Sequence, residues 1–144
     1  VARPAQEAGM RLLVNVDVDD LGRATAFYVA ALGLRVGRRF GAAGVELLGA
    51  DAPIYLLAKP AGTVPFPGAG SRRGYDRHWT PIHLDFVADD LDAALARAVA
   101  AGARLEEPPS EHAWGRMAVL ADPFGHGFCL LQLVGRGYDA VADG

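Results

Sequence analysis

His83 and Asp85 are the pair in this sequence best suited to move a proton or to anchor a small molecule. They stand two residues apart in the run Ile82-His83-Leu84-Asp85-Phe86, and side chains alternate between the faces of a strand. Both therefore project from one face, where an imidazole beside a carboxylate makes an acid-base pair. The same arrangement also describes a core histidine satisfied by its neighbour. Asn15 and Asp17 repeat the spacing in Leu13-Val14-Asn15-Val16-Asp17-Val18, leaving Leu12, Val14, Val16 and Val18 for the core, as Ile82, Leu84 and Phe86 are in the second run. Polar side chains facing an enclosed concavity must bond one another or serve a ligand.

These runs belong to a repeat. Residues 13–21 lie over residues 83–91 without a gap, each a strand-like run ending in Asp-Asp-Leu. The period then changes: Leu21, Ala24, Phe27, Tyr28, Ala31 and Leu32 share one helical face, as do Leu91, Ala94, Leu95, Ala98 and Val99. Asp19 or Asp20 and Asp89 or Asp90 are natural N-caps, because a short carboxylate accepts from the free amides of a first turn. Gly33 and Gly102 supply the stops.

Strands joined by tight turns follow each helix. They are expected at 34–40, 45–48 and 54–58, then at 104–106, 115–120 and 128–133. Pro108-Pro109 reads as a loop, and Asp122-Pro-Phe-Gly125 as a turn that pairs proline with glycine. Between the halves, 62–79 carries Pro65, Pro67, Gly68, Gly70, Arg72, Arg73 and Arg77 and reads as a long loop: a tether, a lid or a dimer arm.

The totals narrow the function class. A chain of 144 residues, 51% of them hydrophobic, can bury one core, and 14 basic against 17 acidic residues leave a net charge of −3 without the basic footprint of a nucleic-acid binder. No apolar run reaches the roughly 20 residues of a membrane span. A lone cysteine, Cys129, rules out an internal disulfide framework and fits a reducing compartment, so the cytoplasm is expected. Residues 1–9 lack periodicity and read as a loose extension, and 136–144 as a tail. Nothing matches a nucleophile elbow, a phosphate loop or a dinucleotide fingerprint.

The doubled strand, cap, helix and glycine, closed by Asp122-Pro-Phe-Gly-His-Gly-Phe-Cys-Leu-Leu-Gln132, resembles the vicinal-oxygen-chelate superfamily of glyoxalases, bleomycin-resistance proteins and extradiol dioxygenases. The resemblance implies an α+β fold of two tandem βαβββ modules, 10–60 and 80–135, whose mixed sheet curves into a cup within one domain, 10–135. It also implies metal ligands on the first and last strands of each module, at Leu13, Tyr55, His83 and Cys129. Leucine has no donor atom, a neutral phenol is a poor ligand, and a catalytic divalent ion needs about three protein ligands. No cofactor is therefore expected, with a divalent metal as the alternative. The expected function is binding of a small, partly aromatic or apolar molecule in the cup, through Asn15, Asp17, Tyr55, His83, Asp85, Trp114 and Cys129. The rival is a lyase, isomerase or dioxygenase in which a non-standard metal set or the pair His83 and Asp85 does the chemistry. Trp114, Tyr55 and Trp79 are candidates for a stacking wall, although core packing explains them as well. His112 and His126 read as solvated turn histidines. The family commonly pairs, so a homodimer is expected.

Overall fold

A computed structural model of the chain describes residues 9–144, so the expected N-terminal extension lies almost wholly outside the described residues. Module 1 runs β1 (Val14–Val18), α1 (Leu21–Leu32), β2 (Arg35–Arg39), β3 (Gly44–Leu48) and β4 (Ile54–Ala58). Module 2 runs β5 (Leu84–Val87), α2 (Leu91–Ala101), β6 (Arg104–His112), β7 (Gly115–Ala121) and β8 (Gly127–Leu133), and a short 3₁₀ turn, Gly137–Ala140, follows. The expected fold, two βαβββ modules of the α+β class, is present.

Each module makes its own four-stranded mixed sheet, ordered β1-β4-β3-β2 in the first and β5-β8-β7-β6 in the second. The first and last strands of each module pair in parallel, which the intervening helix makes possible, and the remaining pairs are antiparallel. β1 and β5 are thus edge strands, each hydrogen-bonded to one neighbour only.

The helices start and stop where the repeat places them. Asp20 accepts from the Arg23 amide at 3.0 Å and Asp90 from the Ala93 amide at 3.1 Å, satisfying first-turn donors. Gly33 ends α1 in the left-handed conformation at φ 66°. Ala24, Phe27, Tyr28 and Ala31 of α1, with Leu91, Ala94 and Ala98 of α2, bury the faces that the periodicity marks. They pack on Val45, Leu47, Ile54 and Leu56 of one sheet and on Ala118, Leu120, Phe128 and Leu130 of the other, in a single core. Arg97 of α2 donates to the Ala31 carbonyl of α1 at 3.3 Å, so the two modules also meet helix to helix.

Three expectations need correction. Leu12 is 69% exposed and Ile82 83% exposed, because β1 starts at Val14 and β5 at Leu84 and neither residue lies under a helix. Val99 is likewise exposed. The strand expected at 104–106 continues to His112 through Pro108-Pro109, with register shifts on both sides of Glu107. Proline is tolerated there because β6 is the outermost strand of its sheet and owes no amide to a second neighbour.

Candidate functional site

The strand alternation puts Asn15, Asp17 and Tyr55 on the face of sheet 1 turned away from α1, with Asn15 and Tyr55 directly paired across β1 and β4. On sheet 2 the equivalent face carries Asp85 and Cys129, paired across β5 and β8, and His83 lies just before β5. A cavity of about 490 Å³ opens between the modules. Asn15, Asp17 and His83 line it beside Val14, Val16, Leu84, Phe86 and Phe128, and Tyr28, Thr80, Ile82, His126 and Gly127 complete its wall. Its volume falls within the roughly 300–1,000 Å³ usual for ligand pockets. A second cleft, lined in part by Asp85, Val87, Leu12 and Arg97, lies on the other side of Leu84 and Phe86.

Module 2 closes the cavity through its closing turn. Asp122, buried, accepts on Oδ1 from the amides of Phe124 and His126, which is the reason an aspartate opens this turn. Its Oδ2 accepts from the hydroxyl of Tyr28 in module 1. Burial and the adjacent carboxylate raise the Tyr28 phenol well above its ordinary value, so it remains a neutral donor. His126 donates through Nε2 to the Asp17 carbonyl at 2.7 Å. The turn residue Gly125 has φ 91°, and a Cβ there would meet the carbonyl oxygen of Tyr75 at 2.6 Å. Only glycine lets the 62–79 loop cross at that point.

That loop contains no helix or strand, and it is fastened to both modules. Arg73 donates to Asp17 at 2.7 Å, Tyr75 to the Lys59 carbonyl at 2.5 Å, and Arg77 grips Glu106 through two bonds of 2.7 and 2.6 Å. The Trp79 ring then lies 4.8 Å from the His83 ring and under the Arg77 guanidinium, over Gly127. These anchors favour the tether among the readings of this loop.

Around His83 the geometry is tight. Its Nε2 lies 3.3 Å from Asp85 Oδ1, both side chains being about one-third exposed. The Cys129 sulfur joins them, the three potential ligand atoms all lying within 4.8 Å of one another. Burial first, and then the Asp85 carboxylate, pushes the Cys129 thiol up to about 11, so it holds its proton at neutral pH and faces Asp85 as a donor.

This donor set does not fit the two-module metal centre that the resemblance implies. Leu13 offers no donor. The Tyr55 hydroxyl donates to Glu46 Oε2 at 2.8 Å and accepts from Arg38 at 2.9 Å, and Tyr55 lines neither cavity. Neither family-type position of module 1 thus contributes a ligand, and in module 2 the thiol would first have to lose a proton that its surroundings retain.

Trp114 stands apart from this region. It stacks on His112 in the β6–β7 turn, with ring centroids 4.8 Å apart and planes 4° from parallel, and leans on Tyr138 of the tail at 5.3 Å. It lines neither cavity, nor does Cys129, whereas Asp85 lines the second cleft. Sequence reasoning missed Tyr28 and His126 as wall residues. Tyr28 looked like one more residue of a helix face, and His126 like a turn residue; only the offset repeat, by placing the closing turn near β1, carried any signal of their meeting.

The comparisons agree with this architecture. A family model described as a glyoxalase-like domain matches residues 13–131. The anthracycline biosynthesis protein DnrV of Streptomyces peucetius is 35% identical over 133 residues, 91% of this chain and 44% of that protein. The chain therefore spans less than half the length of that relative. The uncharacterized protein MT0910 of Mycobacterium tuberculosis (strain CDC 1551 / Oshkosh) is 31% identical over 146 residues, 93% of this chain and 85% of that one. Among solved structures, TioX from Micromonospora sp. ML1 has a TM-score of 0.66 at 20% identity, covering 88% of this chain and 100% of that chain. The genomically encoded fosfomycin resistance protein FosX from Listeria monocytogenes has a TM-score of 0.66 at 19% identity, covering 90% of this chain and 96% of that chain. At those identities the two structures bear on the fold alone. By its repeat, its paired mixed sheets and its match over residues 13–131, the chain belongs to the glyoxalase-like domain family of the vicinal-oxygen-chelate superfamily.

Proposed function

We propose that this chain binds a small organic molecule in the cavity between its modules, without a family-type metal centre. The observation that carries the reading is the cavity of about 490 Å³ into which β1 and the residue preceding β5 bring Asn15, Asp17 and His83 among apolar walls. Convergent polar groups in an apolar concavity are the usual form of a ligand site. The similarity to a protein named for anthracycline biosynthesis supports a polycyclic or otherwise ring-containing ligand, although the chain matches less than half of that relative. A thermal-shift panel of ring-containing compounds on EDTA-treated protein tests the reading. Compounds should raise the melting temperature of the native chain more than that of His83→Ala; a panel that acts only after a divalent ion is added contradicts it.

A second reading has its own observation. The 3.3 Å approach of His83 Nε2 to Asp85 Oδ1 is suited to an acid-base pair, so the bound molecule is a substrate in this alternative. Asp85→Asn would then abolish turnover while leaving affinity nearly unchanged.

We also propose that the protein works in the cytoplasm as a homodimer. Its single cysteine is protonated and buried, and among the described residues no helix is long and apolar enough to cross a membrane. A second copy would supply a length comparable to what DnrV carries beyond the matched part. Sedimentation should give twice the chain mass at micromolar concentration, and a monomer there contradicts the dimer.

A further inference from the structure

We infer that the ligand of this cavity is a neutral molecule that presents hydroxyl donors from an apolar ring; this rests on the cavity-binding reading above. It follows from counting which polar atoms of the wall are already committed. The Tyr28 hydroxyl is spent on Asp122, and the Thr80 hydroxyl on the Ile82 carbonyl at 2.5 Å. His126 Nε2 faces the Asp17 carbonyl, which can only accept, so that nitrogen carries the ring proton and Nδ1 is left with a lone pair. His83 Nε2 faces the Asp85 carboxylate, which again can only accept, so in the uncharged tautomer that fits this contact the proton sits on Nε2 and Nδ1 is the acceptor.

Four side-chain donors of the wall are thus directed at protein oxygens. What remains is acceptor-rich: Nδ1 of His83, Nδ1 of His126, and the Asp17 oxygen that Arg73 does not bond. Asn15 has no side-chain bond among the described residues, and its amide is the one side-chain donor left free in the wall. The open backbone edges of β1 and β5 present N–H and C=O groups alike and do not tilt this balance.

Charge narrows the class further. No lysine or arginine lines the cavity, so an anionic ligand would enter without a counter-charge. Asp17 is already neutralised by Arg73 at 2.7 Å, so a cation gains little there. Val14, Val16, Phe86 and Phe128 offer the apolar surface on which a ring frame would lie. A neutral hydroxylated ring system answers each of these features, whereas an ether or a carboxylate in place of the hydroxyls brings acceptors that, among the wall's side chains, only the Asn15 amide is free to meet.

The test is calorimetric titration of the full chain with three probes of one frame: 2,6-dihydroxynaphthalene, 2,6-dimethoxynaphthalene and naphthalene-2,6-dicarboxylate. The diol should bind one per chain, the dimethoxy compound at least ~10-fold more weakly, as expected for losing a hydrogen bond or two to partly buried acceptors, and the dicarboxylate not measurably. His83→Leu and, separately, Asn15→Ala should each weaken the diol ~5-fold. If the dimethoxy compound or the dicarboxylate binds as tightly as the diol, the inference is overturned and the cavity reading stands. If none of the three binds, both fall. Unchanged diol affinity in both variants places the diol elsewhere and also overturns the inference.

Discussion

His126 Nε2 donates to the backbone carbonyl of Asp17 across 2.7 Å and 109 residues of chain, joining the closing turn of module 2 to the first strand of module 1. Together with the Tyr28 to Asp122 bond, it fixes the modules to each other at the wall of the cavity. The Asp-Pro-Phe-Gly turn is therefore more than a reversal of direction: its aspartate and its following histidine bond module 1 beside the site.

Removing one of these ties should loosen the module contact measurably. Tyr28→Phe keeps the packing against Phe27 but leaves Asp122 Oδ2 without its partner in the core. A loss of ~1–3 kcal/mol is expected from chemical denaturation, the scale for a buried group left unsatisfied. Unchanged stability would mean that the Tyr28 to Asp122 bond is not one of the ties that hold the modules together.

The cup face of module 1 has an acid-sensitive element. Side-chain bonds from Arg38, then the Arg38 amide and the Tyr55 hydroxyl, hold the Glu46 carboxyl down at about 2 from its ordinary 4.5. The folded chain thus binds this proton more weakly than the unfolded chain. Its stabilisation is complete above the ordinary value and is lost as pH falls from there through about 2. Melting temperature should drop more steeply over that range in the native chain than in Glu46→Gln, and parallel curves would contradict the assignment.

Much of this was legible in the residues. The doubled Asp-Asp-Leu narrowed each cap to one of two aspartates, of which Asp20 and Asp90 do the capping, and the alternation in both first strands puts Asn15, Asp17 and Asp85 on the open face. The stacking role expected of Trp114 did not come through, because His112 and Tyr138, two and 24 positions away, hold its ring and no local pattern encodes that meeting. The same limit hid Tyr28 and His126. Tyr55 was placed on the correct face, but its capture by Glu46 and Arg38 depends on the register of β2, β3 and β4, which a single sequence does not fix.

The cluster of His83, Asp85 and Cys129 makes the metal question a sharp one. With the Cys129 thiol held up at about 11 and no free ligand at Leu13 or Tyr55 of module 1, purified protein should carry no stoichiometric zinc, iron, nickel or manganese. Native protein at pH 7.5 should also resist alkylation at this buried thiol until it unfolds. Elemental analysis giving about one metal per chain, lost on His83→Ala, would overturn the metal-free account.

The most direct test of ligand binding between the modules is amide shift mapping by NMR on EDTA-treated protein during addition of 2,6-dihydroxynaphthalene. The account predicts saturable shifts centred on Asn15, Asp17, His83 and His126, with Trp114 and its neighbours unmoved. Shifts centred on Trp114 and Tyr138, or none until a divalent ion is restored, would contradict it.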